Sequence, residues 1–144
     1  ADLWFITHLV SSYLEMEKNL KGYVYEEVEP PVFHNGPCKS IYSTEGNFIH
    51  QMEIDKFRTR DPEKAHVFFL PFSVAMMVKF VYVRDSHDFS TIRHTVRDYI
   101  RIISSKYPYW NRSLAADHFI LSCHDWVRLE FWFSLFLLYL CFCS

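Results

Sequence analysis

The heptapeptide HVFFLPF, His66 to Phe72, governs how the rest of the chain is read. Its apolar residues neither alternate with polar ones nor recur at helical spacing, and Pro71 stops the run. A half-exposed strand alternates, and an amphipathic helix leaves a stripe. A short unbroken run closed by proline therefore predicts a strand buried on both faces, as in a parallel sheet. DHFILSC, residues 117–123, has the same character and predicts a second such strand. KGYVYEE, Lys21 to Glu27, is rich in Tyr and Val and predicts a third, weakened by Gly22 and closed by acidic residues and a Pro-Pro pair.

The segments between these runs carry helical spacing. Tyr13, Met16, Glu17 and Leu20 predict a helix over Ser12 to Leu20 that leads into the first strand. Phe48, Ile49, Met52 and Phe57 share a helical face in YSTEGNFIHQMEIDKF, with Ser43 or Thr44 near its cap. RTRDPEKA reads as a polar connection. Val74, Val78 and Val81 predict a short helix. Ile92, Val96, Tyr99, Ile100 and Ile103 make one apolar stripe that starts after Asp88 and Ser90 and ends before Pro108. Asn111 to Ala115 reads as a loop. Strands alternating with helical crossovers predict an α/β fold: a Rossmann-like parallel sheet with flanking helices.

Composition fits one such domain. The chain has 144 residues, half of them apolar and 19% aromatic, enough for a real core. With three glycines and six prolines, low complexity is excluded. A net charge of −2 without a basic stripe excludes a nucleic-acid footprint. Of the four cysteines, Cys38 and Cys123 either bridge in an oxidising compartment or are two buried thiols. The chain opens within an apolar element and is read as a fragment, so targeting is left open.

Ligands of open α/β sheets bind beyond the carboxyl ends of the strands. Three such ends are on offer: Glu26 and Glu27, then Pro71-Phe72-Ser73, then His124-Asp125-Trp126. His and Asp can move protons or fix hydroxyls, and Trp can stack on a sugar ring. The competing reading makes Asp125 a helix cap and Trp126 a core residue. There is no Gly-x-Gly-x-x-Gly after the first strand and no Walker sequence, so by motif this is not a nucleotide-binding half. Ser122, His124 and Asp125 are not spaced as a triad, because strand neighbours point to opposite faces. His118 and His124 share a face but lie ~20 Å apart along a strand, too far for one metal. Asn111-Arg112-Ser113 is an N-glycosylation sequon.

Several long stretches resemble one family. YVYEE, PPVFH, YSTEGNFIHQM, RTRDPEKAHVFFLPFS, YVRDSHDFSTIRHTVRDYI and KYPYWNRSLAADHFILSCHDW are similar to the plant exostosin-like glycosyltransferases, family 47, from about Tyr13 to Trp126. The resemblance implies type II Golgi membrane proteins whose lumenal part is a two-domain GT-B fold. Such enzymes transfer a sugar, usually from a UDP-sugar, to a cell-wall or related glycan with inversion. Residues 1–126 correspond to the N-terminal, acceptor-side domain, while the donor-binding region has no counterpart here. Asp125 and His124 are the candidate bases, with Trp126, Glu26, Glu27 and Ser73 as acceptor-binding residues. The fold usually needs no bound metal, and the UDP-sugar would be held by the other half. A non-catalytic glycan-binding piece, or one that pairs with itself or with related glycosyltransferases, is the alternative role. The chain alone is expected to transfer no sugar.

The sequence departs from the family at four places. Gly22 stands for a usual Val, Val28 for a turn Gly, Ala115 for the Gly of NRSLGADHF, and Val127 for the Gly after His-Asp-Trp. Residues 127–144 form a divergent apolar tail. Phe131 to Cys143 is shorter than the roughly 20 apolar residues of a membrane span. A non-native tail is the leading reading, ahead of a substitute strand or helix and of a membrane-inserted end.

Overall fold

The computed structural model describes residues 2–26, 36–113, 115–123 and 138–140. Among these, five parallel strands form one sheet: β1 (Gly22–Val24), β2 (Arg58–Thr59), β3 (Val67–Phe69), β4 (His118–Leu121) and β5 (Leu138–Leu140), in the order β2-β1-β3-β4-β5. Tyr23 lies beside Phe68, and Phe68 beside His118, so the three sequence-predicted strands are the centre of the sheet. The helices are α1 (Asp2–Asn19), α2 (Ser43–Ile54), α3 (Val74–Val81) and α4 (Ser90–Lys106).

The strand runs lack alternation because both sheet faces are covered. On one face Tyr23, Tyr25, Phe68, Leu70 and Ile120 pack with Val74 and Met77 of α3 and with the Ile92–Val96–Ile100–Ile103 stripe of α4. On the other, Val24, Phe69, Phe119, Leu121 and Cys123 pack against Ile49 of α2, with Phe48 and Met52 beside them. Phe68 and Phe69 are neighbours pointing into opposite layers, and neither is exposed to solvent. Each buried side chain of this size contributes about 1.5–3 kcal/mol.

The structure amends the sequence reading at several points. The first helix begins at Asp2 instead of Ser12. Within RTRDPEKA, Arg58 and Thr59 pair with Gly22 and Tyr23 as a short edge strand, and Pro62–Lys64 form a 3-10 turn capped by Asp61. A two-residue strand has no periodicity to reveal it. Tyr42, not Ser43 or Thr44, is the cap residue of α2. At α4 the cap residue is Phe89, while the Asp88 carboxylate accepts from the Ser90 amide at 2.8 Å. Pro108–Arg112 close into a 3-10 turn, so Asn111 and Arg112 belong to a helical turn, with Asn111 exposed. Cys38 is exposed and Cys123 buried, both as free thiols; they neither bridge nor share burial. From the tail, Leu138–Leu140 pair with Phe119–Leu121 as a parallel strand. The other residues of Phe131 to Cys143 lie outside the described residues, as does Val28.

Ala115 stands at φ 68°, in the left-handed region, at a buried turn just before β4. A Cβ in that conformation costs roughly 1–2 kcal/mol, and glycine escapes it at the expense of a more flexible unfolded chain. The departure from glycine noted in the sequence therefore falls on a position whose backbone favours glycine. Ala115→Gly is expected to stabilise the chain by about 1 kcal/mol, raising Tm by roughly 2–4 °C. Thermal unfolding followed by circular dichroism checks this, and an unchanged or lower Tm would contradict the strain.

Candidate functional site at the carboxyl edge of the sheet

The strand order 2-1-3-4-5 places a switch point between β1 and β3. The chain leaving β1 runs to α2 on one face, and the chain leaving β3 runs to α3 on the other. The helices that follow the two strands lie on opposite faces, the arrangement that leaves a ligand-binding crevice beyond the carboxyl ends of open α/β sheets.

One buried carboxylate sets the floor of this edge. Glu45, in the first turn of α2, has no solvent exposure. It accepts hydrogen bonds from the Ser73 hydroxyl, from the Ala75 amide at 3.0 Å and from the Cys123 amide at 2.9 Å. One side chain thus ties the start of α2 to the start of α3 and to the exit of β4. Burial raises the Glu45 carboxyl above its ordinary value, and the bonds from Ser73, Cys123, Ala75 and Val74 oppose that rise. The sequence reading passed over Glu45. The available signal was a Glu at the third position of a helix, which reads as an ordinary N-terminal cap partner.

The sequence-predicted residues are distributed unevenly. Ser73 is fully buried: its oxygen accepts from the Met76 amide at 3.1 Å as the cap of α3, and its proton goes to Glu45. Its hydroxyl is thus committed to Glu45 and to the start of α3. Glu26 is exposed beyond β1, with Arg58 at 3.5 Å. Its backbone carbonyl accepts from the Tyr107 hydroxyl. Glu27, His124, Asp125 and Trp126 lie outside the described residues. Cys123, held by Glu45, directly precedes His124 in the sequence.

Above this floor lies a groove of about 1080 Å³. One wall is the segment 36–42 that leads into α2. It lies against that helix because Gly46 has no side chain: a Cβ there would stand 2.6 Å from the Pro37 carbonyl oxygen. The other wall is α3, from Ala75 to Lys79, followed by the connection from Tyr82 to Phe89. Tyr82 and Phe89 stack at 5.5 Å and pin the two ends of that connection together. The Tyr82 hydroxyl accepts from the His87 amide at 3.2 Å.

A second buried polar chain lies within the α3–α4 layer. His118 packs between Phe68, at 4.9 Å, and Trp110, at 4.6 Å between ring centres. Its Nδ1–H donates to Asp117 Oδ1 at 2.8 Å, which leaves Nε2 to accept from the Tyr25 hydroxyl at 2.5 Å. Burial would raise the Asp117 carboxyl, but bonds from Ser113 and Arg112, and the charge and bond of His118, outweigh it and hold it low. Burial lowers His118 itself, with Asp117 opposing. This arrangement is a satisfied network in which His118 and Tyr25 are fully buried in the core. Among the described residues no group of three or more His, Cys, Asp or Glu could hold a metal, and no helix is long and apolar enough to cross a membrane.

The family model of the Exostosin GT47 domain matches residues 16–130. The chain belongs to the exostosin GT47 family. It is 69% identical over 116 residues to "Probable glycosyltransferase At5g03795" of Arabidopsis thaliana, covering 80% of this chain and 22% of that relative. To "Probable glycosyltransferase At3g07620" of the same plant it is 55% identical over 124 residues, with 85% and 26% covered. To "Probable glucuronoxylan glucuronosyltransferase IRX7", also of Arabidopsis thaliana, it is 32% identical, with 74% and 25% covered. The chain spans about a quarter of the length of these curated relatives. No solved structure matches. The resemblance read from the sequence stretches is thus shown, and the parallel α/β sheet is the fold expected of it. The family match runs to residue 130, past Trp126.

Glu45→Gln is expected to cost about 1–3 kcal/mol, because an amide nitrogen must then face one of its buried donors. The shift in urea midpoint measures it, and a loss near zero would mean that the edge does not depend on this carboxylate. His118 gives a pH signature of its own. Its folded value lies below 6.5, so its contribution is full above pH 6.5 and is lost as pH falls through the folded value. The stability difference between the native chain and His118→Gln should therefore shrink on acidification from pH 7.5 toward 5; a pH-independent difference would contradict a buried neutral imidazole.

Proposed function

We propose that this exostosin GT47 chain is the acceptor-side half of an inverting, nucleotide-sugar-dependent glycosyltransferase of GT-B type. The donor is a UDP-sugar held by the complementary half, and the acceptor is a cell-wall or related glycan. The observation that carries this reading is the groove at the β1/β3 switch point, in a chain whose family transfers sugars. It is large enough for a few sugar units and carries the half-buried rings of Tyr42, Tyr82 and Phe89. The names of more distant relatives, a probable glucuronoxylan glucuronosyltransferase and a probable beta-1,4-xylosyltransferase, agree with a polysaccharide acceptor. Residence in the Golgi membrane with a lumenal catalytic part belongs to the same reading, and the exposed Asn111 sequon suits a lumenal surface.

Inversion requires a base for the proton of the acceptor hydroxyl. His124 and then Asp125 follow Cys123, whose amide Glu45 fixes. A carboxylate delivered from an anchored strand end can be aimed reproducibly at a hydroxyl in the adjoining cleft. In a full-length relative, the change equivalent to Asp125→Asn is expected to lower turnover by about 10²-fold or more while leaving acceptor binding in place. Radiolabel transfer from UDP-sugars measures the rate. Unchanged turnover would remove Asp125 from the base role.

A further inference from the structure

The groove is electrically unlike the chain that carries it. The whole chain bears a net charge of −2, yet among the described residues Lys39, Lys79 and Arg84 line the groove against a single carboxylate, Asp85. Among the described residues none of these three cations is engaged in an ion pair, and all three are exposed. They also stand on three separate pieces of chain: the segment before α2, the body of α3 and the connection that follows it. Asp85 and His87 hold φ values of 61° and 50°. Left-handed backbone at two non-glycine positions opposes folding unless neighbouring bonds fix it. Here the Ser86 hydroxyl donates to the Val83 carbonyl at 2.7 Å and accepts from the Asp88 amide at 3.2 Å. Arg84 is therefore presented from a wound, self-bonded connection.

We infer that this groove binds an oligosaccharide bearing carboxylates, that is, an acidic acceptor glycan of the uronic-acid class. The inference rests on the acceptor-side reading above and specifies its substrate. Cations brought to one groove from three separate chain segments suit the several carboxylates of a uronic-acid oligomer. A nucleotide diphosphate would be the other anionic, ring-containing candidate, and the groove is poorly made for it. Compact phosphates are cradled by free amides at a helix N-terminus or a glycine-rich turn. At α3 those amides are already taken, Ala75 by Glu45 and Met76 by Ser73. Lys39, Lys79 and Arg84 carry no role in the proton-transfer step proposed for Asp125.

Titration calorimetry on the full chain separates the possibilities, with tetragalacturonic acid, neutral xylotetraose and UDP as probes. Tetragalacturonate is expected to bind at least about tenfold more tightly than xylotetraose, and to weaken as sodium chloride is added. Lys79→Glu and Arg84→Glu, both on exposed positions, should each weaken it by about tenfold or more with unchanged circular dichroism. Equal binding of acidic and neutral tetramers would overturn the inference while leaving a glycan-binding half intact. Binding of UDP that tetragalacturonate cannot displace, no binding of tetragalacturonate, or indifference to both substitutions would overturn it as well. The acceptor-side reading itself fails only if no oligosaccharide binds, and the Asp125→Asn turnover assay tests the transferase reading independently.

Discussion

Three pieces of backbone meet at the carboxylate of Glu45. A charge buried without a cation is costly unless every lone pair finds a donor. Here the donors are the Ser73 hydroxyl and the amides of Ala75 and Cys123. The starts of two helices converge on the same group, and the positive ends of both helix dipoles favour it. The consequence is geometric. The ends of β3 and β4 cannot move independently of α2, so whatever follows Cys123 leaves from a fixed point. The groove inherits the same rigidity, because Ala75 and Tyr42, on its two walls, flank this anchor in the chain.

The doubly wound arrangement explains why a groove exists at that place. The helices after β1 and β3 lie on opposite faces of the sheet, and nothing in a parallel sheet fills the gap between them. The walls are then shaped by local chemistry. Gly46 lets segment 36–42 lie directly on α2, and the stack of Tyr82 on Phe89 closes the connection that carries Arg84. Charge follows from placement: three cations scattered along some 45 residues of sequence converge on one channel in a chain that is acidic overall.

The buried His118 network illustrates the opposite outcome. Asp117, His118 and Tyr25 form a hydrogen-bonded series that would suggest proton transfer if it faced a cleft. It faces Phe68 and Trp110 instead, and every polar atom in it is occupied. Location beyond a strand end, not the chemical identity of the side chains, separates a site from a core network in this fold.

Much of the architecture was determined by the sequence alone. Unbroken apolar runs such as HVFFLPF have one stable destination, a strand covered on both faces. The Ile92-to-Ile103 stripe has one as well, a helix lying on such a sheet. The long family stretches fixed the family, exostosin GT47. What the sequence left undecided depends on contacts between distant positions. Glu45 reads as an ordinary first-turn acid until Ser73, 28 residues away, and Cys123, 78 residues away, are brought to it. Ser73 reads as a strand-end hydroxyl until burial commits it. Edge strand β2 is too short for any period, and the basic character of the groove belongs to no single stretch. Local pattern specifies how each segment buries its apolar surface; only packing specifies which polar groups are left to share a cleft.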